Sequence, residues 1–326
     1  MSGMGRREFV MLLSGATAWP MAARGQLSGK TYRIGFLGVT SYEQYRHQVD
    51  ALRTGLRQLG YEEARNTAIE YRWAEGRYDR LRELAAELVK LNVNIIVTHS
   101  TPGAQAAKEA TSTIPIVAVS GDPVAFGLVA SLHRPGGNLT GVAFFFAEIC
   151  AKRVELIKEA IPSLSRIAVF INPTSSATSI PLAAMQRTAS ALNGELVPIE
   201  LTARDDIGAA VTMVTRQAQA LVAIEDPLIT SNARKIADFA LQIKLPMIGF
   251  RPQAEAGALM EYGVDLVDMF SRSASFVDKV LKGTAPADLP IEQAVKFDVV
   301  VNLKSAKTLG VELPTSLLLR ANEVIE

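Results

Sequence analysis

Residues 94–119 read NIIVTHSTPGAQAAKEATSTIPIVAV, and this stretch decides the fold class. Asn94-Ile95-Ile96-Val97-Thr98 is a short, nearly unbroken β-branched run. Pro102 to Thr111 reads as the helix behind it, with Ser100-Thr101-Pro102 placing an N-cap hydroxyl and a proline where a first helical turn accepts them. Ile114 to Val119 is a second apolar run. Strand, helix and strand, with no polar alternation inside the strands, is the pattern of a parallel sheet covered on both faces.

The same alternation extends in both directions. Upstream, Tyr32 to Val39 reads as a strand and His47 to Leu59 as an amphipathic helix closed by Gly60. Ala68 to Trp73 is the next strand, and Tyr78 to Leu91 a helix with Leu81, Leu84, Ala85 and Leu88 at helical spacing. Downstream the series begins again. Helices are expected over 150–160, 182–192, 207–218 and 231–243, and strands over 166–171, 195–199, 221–224 and 246–250. Two successive βαβ series predict an α/β protein with two doubly wound parallel-sheet lobes. The tail, with a strand after about Ala258, a helix over 266–281 and a strand over 296–301, is shared between them.

A length of 326 residues accommodates two compact domains, and 48% hydrophobic with 21% charged residues is ordinary for packed cores. The formal net charge of +1 gives no electrostatic ground for a nucleic-acid partner. Cys150 is the single cysteine, which rules out an intramolecular disulfide and a cysteine-rich zinc site. His47, His99 and His133 are isolated and show no metal-ligand spacing. No GxSxG elbow or GxGxxG fingerprint occurs, so neither a metal, a cofactor nor catalysis is expected.

At the N-terminus, Arg6-Arg7 precedes an apolar stretch from Phe9 to Leu13, then small residues to Ala23. That order reads as a secretory signal over residues 1–25, too short to span a bilayer. Arg6-Arg7-Glu8-Phe9-Val10 is similar to the twin-arginine export motif. Ala23-Arg24-Gly25 fits a small-x-small cleavage site that leaves Gln26 first, and a periplasmic mature chain without stable membrane insertion is expected.

Open parallel sheets gather ligands beyond the carboxyl ends of their strands. The candidate ligand-binding residues are therefore Thr40, Tyr42, His99, Ser100, Thr101, Ser120, Asp122, Asn172, Glu225, Asp226 and Tyr262. Hydroxyls and helix starts suit a carboxylate, and an acidic side chain, Asp122 or Asp226, suits an amine. Each group has a plainer reading too: Ser100-Thr101-Pro102 as a cap, Asn172-Pro173 and Asp226-Pro227 as turn chemistry.

Several longer stretches carry a resemblance. Residues 33–37, 69–76 and 112–117, Gly121-Asp122-Pro123-Val124, residues 134–141 and Asp288 to Gln293 together resemble the ABC-transporter substrate-binding family that includes tryptophan- and tyrosine-type binding proteins. The resemblance implies a type I periplasmic-binding fold: two lobes joined by three crossovers, closing on ligand by a hinge, with an ABC permease as partner. It implies crossings near Val142-Ala143 and Phe250 to Ala254, with 26–143 plus about 255–290 forming one lobe. Residues 144–254 plus about 291–326 form the other. Where the family's commoner loop reads Thr-Gly-Gly-Thr-Pro, this chain has Thr98-His99-Ser100-Thr101-Pro102. A ligand-binding part of a sensory system and an enzyme on the same fold are the alternatives.

Overall fold

The computed structural model describes residues 31–175, 177–202 and 207–326. The export segment expected over residues 1–25 lies outside the described residues. The chain first lays down β1 (Tyr32–Gly38), α1 (Tyr42–Gln58), β2 (Thr67–Trp73), α2 (Leu81–Lys90), β3 (Ile95–His99), α3 (Ser100–Ala110), β4 (Ile116–Gly121) and β5 (Leu139–Phe144). It then builds α4 (Phe146–Ala160), β6 (Arg166–Ile171), α5 (Ser179–Ala191), β7 (Glu195–Glu200), α6 (Ile207–Gln217) and β8 (Ala220–Val222). The short helix α7 (Pro227–Ser231), α8 (Ala233–Gln242), β9 (Met247–Gly249), α9 (Arg251–Glu255) and β10 (Met260–Val264) follow. Last come α10 (Leu266–Leu281), β11 (Glu292–Gln293), β12 (Phe297–Asn302), α11 (Leu303–Leu309), α12 (Thr315–Arg320) and β13 (Glu323–Ile325).

These strands form two sheets, ordered β11-β5-β4-β3-β1-β2 and β13-β12-β10-β9-β8-β6-β7. Every described pairing is parallel except β10 with β12. The apolar runs become the central strands: all five residues of β3 and all six of β4 are buried. Each sheet reverses its strand order once, between β3 and β1 in the first lobe and between β8 and β6 in the second. At such a reversal the flanking connections leave to opposite faces and open a crevice at the strand ends.

The lobes exchange the chain three times, and two of the boundaries differ from expectation. The crossing expected at Phe250 to Ala254 lies later, between β10 and α10. β10 continues the second sheet beside β9, with Met260 opposite Ile248, so residues 255–264 belong there rather than to the first lobe. Pro252 is accommodated at the start of α9, where a proline loses no helical hydrogen bond, and so marks no hinge. The third crossing falls between β11 and β12, because Glu292 and Gln293 pair with Val142 and Ala143 in the first sheet. The first passes from β5 into α4.

α10 therefore returns to the first lobe, burying Phe270, Ala274, Phe276 and Val277 with Val49, Leu52 and Leu56 of α1. The helices meet at Gly55, where a Cβ would stand 2.8 Å from Ala274 Cβ and 2.9 Å from the Ser271 carbonyl oxygen. Gly55→Val should force α10 off α1 and lower stability by about 1–3 kcal/mol. The urea midpoint measures this, and an unchanged midpoint would contradict the docking.

Candidate functional site

The two crevices face each other across a cavity of about 360 Å³. Its wall combines Tyr45, Tyr78, Phe144, Phe146, Phe250 and Phe270 with polar groups from both lobes. Among the described residues, seven buried side-chain polar atoms have no hydrogen-bond partner. Six belong to residues lining this cavity: Thr40 Oγ1, Gln48 Oε1, His99 Nδ1, Ser100 Oγ, Thr178 Oγ1 and Glu261 Oε2, leaving only Gln253 Nε2 elsewhere. Buried polar groups are ordinarily paired, and leaving one unpaired costs about 1–3 kcal/mol. Their concentration around one space makes it the candidate binding site.

On the first lobe, His99 ends β3 with its ring stacked on Tyr45, centroids 3.9 Å apart. The Val39 backbone N–H donates to His99 Nε2 at 3.0 Å. That bond makes Nε2 the acceptor, so the proton of the neutral ring sits on Nδ1. Burial pushes the His99 pKa down to about 3, and the ring is neutral at physiological pH. Ser100 follows with φ 62°, a left-handed conformation that costs a serine about 1 kcal/mol. Ser100 opens α3, an eleven-residue helix whose start has no side-chain cap. Across the cavity Thr178 precedes α5, thirteen residues long and likewise without a side-chain cap. Two helix N-termini, one per lobe, thus bring free N–H groups and the positive ends of their dipoles to the cavity edge, beside the hydroxyls of Ser100 and Thr178.

The second lobe supplies carboxylates, most already engaged. Arg153 of α4 is completely buried and donates through Nε to the Tyr262 carbonyl at 2.8 Å and through Nη1 to the Ala223 carbonyl at 2.9 Å. It also grips Glu225 in a fork, Nη1 to Oε2 at 2.7 Å and Nη2 to Oε1. Asp226 Oδ1 caps α7 by accepting from the Leu228 N–H at 2.9 Å and takes a second bond from Asn172 Nδ2 at 3.3 Å. Its Oδ2 accepts the Tyr78 hydroxyl at 2.7 Å, a bond that joins the two lobes. Burial, then the Asp226 charge, pushes the Tyr78 phenol well above its usual range, so it stays a donor. Glu261 differs: burial raises its carboxyl to about 7 against the opposing pull of Arg251 and Arg153.

Of the residues read from sequence, Thr40, His99, Ser100, Thr101, Glu225 and Asp226 line the cavity. Five others stand outside the lining. Tyr42 lies at the surface, edge-on to Trp73. Ser120 is buried inside β4. Asp122 accepts from the Ala147 N–H at 3.1 Å, tying the first lobe to the start of α4 instead of meeting an amine. Asn172 acts through Asp226 and Thr174. Tyr262 stacks on Phe297, and its carbonyl holds Arg153. Strand-end reasoning missed Tyr45, Gln48, Tyr78, Thr178 and Arg153, and it reached Glu261 beside Tyr262 without choosing it. Tyr45 and Gln48 lie one turn apart on α1, directly after a strand end that was itself read, and that spacing was the available signal. Cys150 is buried and desolvation pushes its thiol well up, which removes it as a nucleophile.

Comparison with known proteins agrees with this architecture. Residues 34–325 match a family model described as ABC transporter substrate binding protein. A tyrosine-binding protein of Clostridioides difficile (strain R20291) is 27% identical over 259 residues, covering 79% of this chain and 74% of that protein. The solved ABC domain from Streptococcus pneumoniae in complex with L-Trp superposes with a TM-score of 0.84 at 26% identity, over 91% of this chain and 100% of that one. A ligand-free, open substrate-binding protein with adhesive properties from Clostridium difficile gives only 0.66 at 25% identity, over 90% and 99%. At nearly equal identity, the whole chain superposes better on the complex than on the ligand-free, open structure.

Two outcomes follow from the site. Tyr78→Phe removes the bond between lobes and should weaken ligand binding about tenfold in calorimetry, with the melting temperature of the ligand-free protein little changed. Equal affinity would show that the bond does not support closure. For His99, the folded pKa lies below the ordinary value near 6.5. The unfolded chain therefore takes up a proton that the native protein refuses, and stability present above pH 6.5 is lost as the pH falls toward 3. His99→Gln should make that acid slope shallower by about 1.4 kcal/mol per pH unit, read from denaturation midpoints between pH 6.5 and 4.

Proposed function

The chain belongs to the ABC transporter substrate-binding protein family, and from that membership we propose that it is an exported, periplasmic protein that captures an amino acid with an aromatic or other large apolar side chain. It delivers the ligand to an ABC permease. The observation that carries the ligand class is the coincidence, in one cavity, of two uncapped helix N-termini, unpaired polar groups and an aromatic wall. The helix ends and hydroxyls suit a carboxylate. The rings of Tyr45, Phe144, Phe146 and Phe270 suit an apolar side chain. The tyrosine-binding relative and the tryptophan complex support the same class.

The action is closure. A ligand held first by the α3 end gains contacts from the α5 end only when the lobes meet, so it favours the closed state by its differential affinity. The Tyr78–Asp226 bond forms in that state as well. Nothing in this sequence of events needs bond-making in the ligand. The permease then meets a shape that exists only around bound solute. The twin-arginine-like segment at Arg6-Arg7 supports the export step of the reading.

A thermal-shift panel of the twenty amino acids, with sugars and short peptides as comparison, tests this. A ligand at about 100 times its Kd should add about 2.7 kcal/mol of stability. We expect the melting temperature to rise with tryptophan, tyrosine, phenylalanine or large aliphatic amino acids, and the recovered ligand to be chemically unchanged. A sugar as the only stabilising compound would overturn the reading.

A further inference from the structure

The acidic side chains of the cavity wall are unequal in how far they are already engaged. Glu225 is forked onto Arg153, and Asp226 accepts from Leu228, Asn172 and Tyr78. Asp265 accepts from the Asp268 N–H at the start of α10. Asp298 lies on β12 opposite Gly263, diagonal to Glu261 on the same face, and is only half-buried, so water still reaches it. Glu261 is the least engaged of them at one oxygen. It is 4% exposed, its Oε2 has no hydrogen-bond partner, and the nearest guanidinium atom, Arg251 Nη1, is 3.8 Å away. Arg251 is drawn outward instead, to Glu255 at 3.2 Å and to Glu323 at 2.8 and 3.0 Å.

We propose that Glu261 is the residue that selects for a protonated amine on the ligand, the role that sequence reading gave to Asp226 or Asp122. This rests on the amino-acid reading of the cleft. A buried carboxylate without a partner is costly, and an ammonium at hydrogen-bond distance supplies both the charge and the donors it lacks. Asp226 is unsuited because its oxygens are used to cap α7 and to hold Tyr78. The charged groups that face Glu261 are Arg251 from α9, Arg153 from α4, Asp298 from β12 and Glu225 from the loop after β8. Arg153 is matched by Glu225 and Arg251 by Glu255 and Glu323, which leaves Glu261 as the acid in excess.

The pH dependence follows in sign. Burial holds the Glu261 carboxyl up to about 7 in the free cleft, and a bound ammonium favours its ionised form. Binding of an amine therefore expels the proton, and affinity rises from pH 6 to pH 8. An acid without the amine gains nothing from that ionisation.

The test is calorimetry on wild type and Glu261→Gln with matched pairs of aromatic acids, each with and without its α-amine, such as tryptophan and indole-3-propionate. At pH 8 the wild type should prefer the amine-bearing member by about ten- to a hundredfold. Glu261→Gln should lose that preference while holding the other member as well as wild type does, with an unbound melting temperature no lower than wild type. A Gln variant that keeps the preference overturns the assignment. Independently of the variant, wild-type affinity for the amine-bearing member should rise about tenfold from pH 6 to pH 8 relative to its partner, and a flat ratio also overturns it. If wild type binds neither member of any pair, the amino-acid reading itself falls and the assignment with it, an outcome distinct from retained preference.

Discussion

The cleft depends on one buried guanidinium. Arg153 lies wholly inside the second lobe, and each of its nitrogens donates: to the Tyr262 carbonyl of β10, to the Ala223 carbonyl after β8, and to the Glu225 carboxylate, which lines the cavity. Its guanidinium carbon also stands 5.8 Å from the Phe250 ring centre. The helix that carries it starts just after the first crossing between lobes, and β10 ends just before the second. One side chain thus fixes the spacing of the strands next to the crossings between lobes. Removing either member of a buried pair leaves the other charge unmatched, a loss of about 3–5 kcal/mol, whereas a paired and fully bonded charge is tolerated.

The contrast between these paired groups and the rest of the cavity bears on the proposed closure. Arg153 is paired with Glu225, and Asp226 with Asn172, Leu228 and Tyr78, and polar groups whose bonds are satisfied hold their geometry. Thr40, Gln48, His99, Ser100, Thr178 and Glu261 are left with bonds to make. Those groups come from both lobes, so in the proposed closure a solute would pair with all of them only when the lobes meet. The serine held at positive φ is the sharpest case, since its backbone strain and its unpaired hydroxyl fall on the same residue.

The fold was legible because its signals are local. Short β-branched runs such as Ile95 to Val97 and Ile116 to Val119, bounded by turn residues, read as doubly covered strands, and the repeat of the series announces two lobes. The division of the tail was not legible, because β10 and α10 are adjacent in sequence yet belong to different lobes, and only sheet register separates them. Among the candidate residues, position at a strand end brings Thr40, His99, Ser100, Thr101, Glu225 and Asp226 to the cavity wall, whereas Ser120 stays inside β4. Asp226 shows what position leaves open: a carboxylate at a strand end can be ligand or cap, and its partners Leu228, Asn172 and Tyr78 come from segments that sequence does not bring together. Glu261 and Arg153 could not be weighed from sequence, since what distinguishes them is the presence or lack of a buried partner drawn from distant segments.

The account stands on ligand-driven closure of two lobes, and small-angle X-ray scattering of the purified protein with and without a saturating aromatic amino acid measures it most directly. It predicts a smaller radius of gyration with ligand, and a scattering curve then matching the lobe arrangement described above. Identical curves in the two states, with binding verified in the same sample, would contradict it.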